Sequence, residues 1–104
     1  MEKLSECEEM IMEVIWSLES NPDLNILTKE VKYRFSKEWK IQTTATFVKR
    51  LEQKGCIRIY KIGRRSYYQS LVEFEAYKRM KLEKLLERLY NGNKEKLHMA
   101  IDEL

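Results

Sequence analysis

Proline and glycine are scarce in this 104-residue chain, which contains one proline and three glycines. Both residue types interrupt regular structure, so their scarcity predicts few long loops and a chain dominated by helices. Cysteine is also rare, because Cys7 and Cys56 lie far apart and neither belongs to a CxxC motif. This spacing favours two reduced thiols that pack as small hydrophobic groups over a metal or redox site.

Groups that carry enzyme chemistry are equally sparse. His98 is the only histidine, and no glycine-rich phosphate loop is present. We therefore predict no enzymatic activity, no cofactor, no metal and no small-molecule effector. No apolar run approaches the roughly 18 residues that span a bilayer. The N-terminal MEKLSECEEM is acidic, unlike a signal peptide, so we expect a cytoplasmic protein without a membrane partner.

The charges are distributed unevenly along the chain. Residues 1–28 carry seven acids and one base, residues 29–65 carry twelve bases and three acids, and residues 66–104 carry seven of each. A contiguous basic block suits a polyanion such as DNA, because binding releases counterions from the phosphates. A solvated, lysine-rich helical surface would produce the same charges, so charge alone leaves both interpretations open.

Two helices are predicted in the first part of the chain. Ser5 and Glu8 fit a capping box at the start of a helix, which Pro22 cannot continue. The short apolar pair Ile26 and Leu27 is predicted to form a very short strand. Thr28 is predicted to cap a second helix of about residues 29–37. A short connection to a third helix would complete a helix-turn-helix.

The third helix is predicted over residues 42–54, ending at Gly55. One face is apolar and consists of Thr44, Phe47, Val48 and Leu51. The opposite face combines short hydrogen-bonding groups with cations, which can contact base edges and phosphates. The candidate DNA-binding residues on this face are Gln42, Thr43, Thr46, Lys49 and Arg50.

A β-hairpin is predicted after the third helix. Residues 56–62 are rich in strand-forming side chains, residues 63–65 read as a turn, and residues 66–70 return. Arg64 and Arg65 are suited to the phosphate backbone or the minor groove. Charge that merely keeps a hairpin tip soluble is the alternative. Residues 1–71 are therefore predicted to form a winged helix-turn-helix domain, mainly α with a small β-hairpin.

Residues 72–104, here called the helical arm, show a leucine-rich pattern with helical spacing. The sequence NGN at residues 91–93 divides the arm into two helices, and Asn93 can cap the second. An exposed apolar stripe of this size normally meets a second chain, so we predict a homodimer. Packing of the arm on its own domain is the alternative. The candidate dimerisation residues are Leu82, Leu85, Leu86, Leu89, Leu97 and Ile101.

Several motifs together resemble the penicillinase repressor family. They are LSECEEMIMEVIWSLE, TTATFVKRLEQKGCI, IGRRSYYQSLV and LLERLYNG, in this order and with similar spacing over nearly the whole chain. The resemblance implies a dimeric winged-helix repressor that binds a palindromic double-stranded DNA operator. It also implies that the third helix enters the major groove, with Arg64 and Arg65 on the wing.

The resemblance also bears on how such a repressor is released. The β-lactam-responsive branch is cleaved at an Asn-Phe bond, and Ala100-Ile101 occupies the equivalent position here. The copper-responsive branch uses cysteine pairs near the C-terminus, whereas no cysteine follows Cys56. Neither mode of induction is therefore expected. A winged-helix module that binds proteins is the alternative function, although such a module has no need of this polar third-helix face.

Overall fold

The computed structural model describes residues 3–104, and the fold class matches the prediction of a mainly α protein with one hairpin. The chain consists of two compact units, with the boundary between Val72 and Glu73. The elements in order are α1 (Glu6–Ser17), α2 (Leu24–Phe35), α3 (Ile41–Gln53), β1 (Ile57–Ile62), β2 (Arg65–Ser70), α4 (Phe74–Tyr90) and α5 (Lys94–Asp102).

Helix α1 begins at the predicted capping box. The Ser5 hydroxyl accepts a hydrogen bond from the Glu8 backbone N–H, and the Ser5 N–H donates to Glu8 Oε1. Met12 lies off the apolar stripe of α1, which contains Ile11, Val14 and Ile15, and is nonetheless fully buried. Trp16 Nε1 donates to the hydroxyl of Ser70 and to the carbonyl of Val72. Most of the circumference of α1 is therefore buried, and a narrow polar stripe stays exposed.

Helix α2 begins earlier than predicted. Its N-cap is Asp23, whose side chain accepts from the Ile26 N–H, so the predicted strand at residues 26–27 and the predicted cap at Thr28 are both wrong. Thr28 lies inside the helix, where its hydroxyl contacts the carbonyl of Leu24 and the hydroxyl of Thr44. An aspartate directly before a periodic apolar run is an equally good cap and allows a longer helix.

Helix α3 follows a five-residue connection that begins with Ser36 in the left-handed conformation. The Trp39 and Phe47 rings lie 4.9 Å apart, which packs the connection against the helix. At the C-terminal end, Gly55 has a φ of +76°, and the next N–H, that of Cys56, donates to the Leu51 carbonyl. These features confirm the predicted glycine stop.

The core of the first unit lies between the three helices and the hairpin. Apolar side chains from α1, α2, α3 and β1 meet there without contact with solvent; they include Ile11, Met12, Val14, Leu27, Val31, Leu51 and Ile57. Thr44 is also fully buried, and its hydroxyl is hydrogen-bonded to Thr28 at 2.8 Å. The apolar face of α3 is thus fixed against α2, which leaves its opposite face outward.

The wing is the antiparallel hairpin of residues 57–70. Ile62 pairs with Arg65, so the turn consists of Gly63 and Arg64 alone. The prediction that Arg65 belongs to the turn is therefore wrong, because the strand pairing extends one residue closer to the tip. Gly63 has a φ of +63°, as a type II′ hairpin turn requires of its first central residue.

A buried ion pair joins the start of α1 to the end of α3. Lys54 Nζ lies 2.7 Å from Glu8 Oε1 and also donates to the carbonyl of Lys3. Glu8 is 1% exposed. Burial raises the pKa of its carboxyl, but hydrogen bonds from Lys54 and Ser5 outweigh burial and hold that pKa below the ordinary value of 4.5.

Substituting Glu8→Gln is expected to lower the free energy of unfolding by about 1–2 kcal/mol near neutral pH. Glutamine preserves the capping box but removes the charge that Lys54 contacts. Because the pKa is lower in the folded state, this contribution is present above the unfolded value and is lost as the pH falls through the folded value. Urea unfolding of both proteins from about pH 7 to about pH 3 should show a difference that shrinks. A difference that stays constant would contradict this assignment.

The second unit contains α4 and α5. The Asn91 cap has a φ of +50°, the Gly92 N–H donates to the Leu86 carbonyl, and Asn93 accepts from the Lys96 N–H. The predicted helix break and cap at NGN are confirmed. Ion pairs connect neighbouring turns of α4, Glu75 with Lys78 and Arg79 with Glu83, and on α5 His98 Nε2 lies 3.6 Å from Asp102 Oδ2.

Candidate nucleic-acid interface

The outward face of α3 displays the side chains that the sequence analysis selected. Gln42, Thr46, Lys49 and Arg50 are exposed, and Thr43 is half-buried. This exposure follows from helical spacing, because Thr44, Val48 and Leu51 turn inward on the other side. The face therefore presents amide and hydroxyl groups in its first turns and two cations further along.

Local contacts orient several of these groups. The Thr46 hydroxyl donates to the Gln42 carbonyl at 3.1 Å, so its oxygen keeps its acceptor capacity for an outside donor. The Arg50 guanidinium lies 5.5 Å from the centre of the Phe47 ring, a cation–π contact that orients the arginine. Lys49 forms an exposed ion pair with Glu52 at 3.1 Å, a contact that a phosphate can displace at little cost.

The two wing arginines have different surroundings. Arg64 is exposed at the tip of the turn. Arg65 begins β2, and its Nη1 lies 3.4 Å from Asp23 Oδ2. The Arg65 side chain is 72% exposed and the Asp23 side chain is 12% exposed. Arg65 is therefore open to solvent, whereas the carboxylate that it contacts is largely buried.

Three consecutive residues before α2 contact the wing, and we call Asn21, Pro22 and Asp23 the wing clasp. Asn21 Nδ2 donates to the Tyr60 hydroxyl at 2.9 Å, and the Tyr68 N–H donates to the Pro22 carbonyl at 3.0 Å. Asp23 adds the contact with Arg65.

The surroundings of the wing clasp also affect Tyr68 on β2. Burial raises the pKa of the Tyr68 hydroxyl, and the nearby charges of Asp23 and Glu52 raise it further.

The wing clasp was not among the features predicted from the sequence. An Asn-Pro-Asp run is a recognisable turn and helix-start signal, so a cap at Asp23 could have been found. The contacts of Asp23 with the wing could not have been found from sequence, because Asp23 and Arg65 are 42 residues apart.

The outward face of the wing also contains Arg58, which was not among the predicted DNA-binding residues. Its Nη2 donates to Gln69 Oε1 at 2.7 Å, and its guanidinium lies 4.9 Å from the Tyr60 ring centre.

The candidate dimerisation residues are on the second unit. Leu82, Leu85, Leu89 and Ile101 are exposed, whereas Leu86 and Leu97 are half-buried. On α4, the positions of Leu82, Leu85 and Leu89 place these three side chains on one face.

Within residues 3–104, every helix is too short or too polar to cross a membrane. In the same part of the chain, no three His, Cys, Asp or Glu side chains are grouped so that they could hold a metal ion.

Comparisons with known proteins agree with this geometry. The family model described as "Penicillinase repressor" matches residues 4–103. The solution structure of the DNA-binding domain of the repressor BlaI is similar, with 30% sequence identity and a TM-score of 0.59 over 71% of this chain and 90% of that one. Direct comparison of the sequence with curated proteins gives no match.

Two further solved structures share the fold. Bacillus licheniformis BlaI, solved as a monomer in complex with the blaP half-operator, is 28% identical with a TM-score of 0.58, over 71% of this chain and 87% of that one. A zinc-bound manganese uptake regulator is 26% identical with a TM-score of 0.56. In that case the similarity covers 69% of this chain and 55% of the regulator.

Proposed function

The chain belongs to the penicillinase repressor family, and we propose that two copies of it bind a palindromic DNA operator. It is a sequence-specific DNA-binding transcriptional repressor. The observation that carries the proposal is the outward face of α3, where Gln42 and Thr46 precede Lys49 and Arg50. Blocking a promoter requires only that the operator be occupied.

In the proposed complex, α3 lies in the major groove. Gln42, Thr43 and Thr46 are assigned to base edges or nearby phosphates, since amide and hydroxyl groups both donate and accept hydrogen bonds. Arg50 is assigned to guanine or phosphate, and Lys49 to phosphate, because both follow on the same exposed face. The closeness of the fold to that of BlaI, which was solved with a half-operator, supports this orientation.

The wing extends the proposed contact beyond the groove. Arg64 and Arg65 are assigned to the adjacent phosphate backbone or minor groove, because they lie on and next to the exposed turn of the hairpin. Arg65 keeps the side-chain exposure that such a contact needs, even though one of its nitrogens faces Asp23.

The helical arm is proposed to join the two copies. Leu82, Leu85 and Leu89 leave an apolar face on α4 that is exposed in the single chain. Burying such a face in a second copy removes apolar surface from water, which favours association. A two-fold dimer would place its two α3 helices about one turn of DNA, roughly 34 Å, apart.

A location in the cytoplasm remains a prediction.

Binding to DNA from the protein's own promoter region tests this function. We expect specific binding that weakens steeply with salt, by about 10³–10⁵ between 50 and 200 mM if the dimer neutralises six to ten phosphates. Fluorescence anisotropy with the promoter duplex and with a scrambled duplex of equal length would measure both properties. Equal affinity for the two duplexes at moderate salt would contradict operator recognition, and absent binding would favour a module that binds proteins.

A further inference from the structure

The position of the wing depends on the wing clasp, the three residues that precede α2. Each residue of the clasp contacts a different part of the hairpin: Asn21 contacts β1 at Tyr60, Pro22 contacts β2 at Tyr68, and Asp23 contacts Arg65. The same Asp23 caps α2 through its other carboxylate oxygen. One side chain therefore connects the helix-turn-helix to the basic side chain at the start of β2.

We propose that Asp23 is a positioning residue for DNA recognition, which aims the Arg65 guanidinium at the DNA backbone or minor groove. This inference rests on the proposed function, in which Arg65 contacts the operator. Asp23 itself touches no DNA in this proposal. It acts through Arg65, and it does so from a fixed place because Oδ1 accepts from the Ile26 N–H at 2.9 Å.

The geometry leaves Arg65 able to contact both partners at once. The Asp23 contact involves Nη1, at 3.4 Å from Oδ2. A guanidinium has five N–H donors in a planar fork, so Nε and Nη2 can reach a phosphate while Nη1 faces the carboxylate. Only 12% of the Asp23 side chain is exposed, against 72% of the Arg65 side chain, so the carboxylate is largely buried while the arginine stays accessible to an outside partner.

Energetics also favour a role in orientation over a role in stability. An ion pair between a largely exposed arginine and a carboxylate contributes little to folding. Holding a long side chain in its bound conformation before DNA arrives saves part of the entropy that binding otherwise costs. That saving corresponds to roughly two- to tenfold in affinity for one rotamer-rich side chain.

A double-mutant cycle with Asp23→Asn and Arg65→Ala tests the proposal. Asparagine caps helices as well as aspartate, and its side-chain oxygen can still accept from the Ile26 N–H, so α2 should keep its start. We expect Asp23→Asn to weaken operator binding about three- to tenfold, within the range expected for one immobilised side chain. In the Arg65→Ala background, the same substitution should have no further effect.

Asp102→Asn is the matched control, because it makes the same charge change at an aspartate of α5 whose Oδ2 lies 3.6 Å from another side-chain nitrogen, His98 Nε2. Its operator affinity should equal that of the wild type. Urea unfolding of all variants would show whether Asp23→Asn has kept its stability, which separates a positioning role from a loss of fold. Tighter binding by Asp23→Asn would overturn the proposal, because it would mean that Asp23 competes with DNA for Arg65.

The outcomes distinguish this inference from the proposed function. If the wild-type protein shows no preference for its promoter duplex, the proposed function itself fails. If the wild type binds specifically and the two substitutions have additive effects, only the role of Asp23 is overturned. An Arg65→Ala variant with unchanged affinity would likewise overturn this inference and leave recognition by α3 intact.

Discussion

Replacing Leu89 with aspartate is expected to convert the proposed dimer into monomers and to weaken binding to a full operator by about 10²–10⁴-fold. Without the dimer, the second half-site no longer benefits from a high effective concentration, and avidity of that size is lost. Leu89 is 72% exposed in the single chain, so the substitution should leave the fold intact. Within the dimer interface, in contrast, an aspartate would be buried without a partner.

Size-exclusion chromatography with light scattering at tens of micromolar protein measures the association, and anisotropy measures the operator affinity. Ala76→Asp is the matched control, because it adds the same charge at an exposed position of α4 that lies off the leucine face. That variant should remain dimeric. A monomeric wild type, or a Leu89→Asp variant that still dimerises, would show that the exposed leucines of α4 do not join the two copies.

Arg50→Ala is expected to cost about 1–3 kcal/mol of operator binding if the guanidinium contacts guanine. The fold should be preserved, because Arg50 is exposed and its guanidinium lies against the face of the Phe47 ring. A base contact and a phosphate contact predict different patterns of loss. A base contact lowers the affinity for the operator more than for a scrambled duplex, whereas a phosphate contact lowers both equally and reduces the salt slope by about one.

The measurement is a pair of salt titrations, one with each duplex. Arg88→Ala serves as the control, since it removes an exposed arginine from the last turn of α4. Its affinity for both duplexes should stay at the wild-type value. Unchanged operator binding by Arg50→Ala would mean that the outward face of α3 has been assigned incorrectly.

Local signals in the sequence were sufficient to predict most of the elements. Ser5 and Glu8 form a capping box within four residues, Gly55 ends α3 through its positive φ, and the Asn93 side chain caps the start of α5. The start of α2 was missed because Asp23 and Thr28 are both good caps. Asp23 is the cap in the structure because the helix that it starts buries the apolar residues from Leu27 onward. It also places Thr28 inside α2, where its hydroxyl is hydrogen-bonded to Thr44 of another helix.

Long-range contacts account for the rest of what the sequence did not predict. Periodicity placed the exposed face of α3 correctly, because which side of a helix faces outward follows from spacing alone. It could not show that Lys54 reaches Glu8, or that Arg65 reaches Asp23, since these pairs are 46 and 42 residues apart. The surroundings of each cation, and therefore its freedom to contact DNA, depend on the three-dimensional arrangement.

The balance of charge in the second unit has a consequence for experiments on this protein. Residues 73–104 carry seven acidic and seven basic side chains, several of them paired within their own helix. Two identical arms can therefore approach each other without net electrostatic repulsion, and added salt has little repulsion to screen. If the arms join two copies as proposed, ionic strength should act on the protein–DNA equilibrium while leaving the subunit equilibrium nearly unchanged. A salt titration would then count released counterions without also reporting dissociation of the proposed dimer.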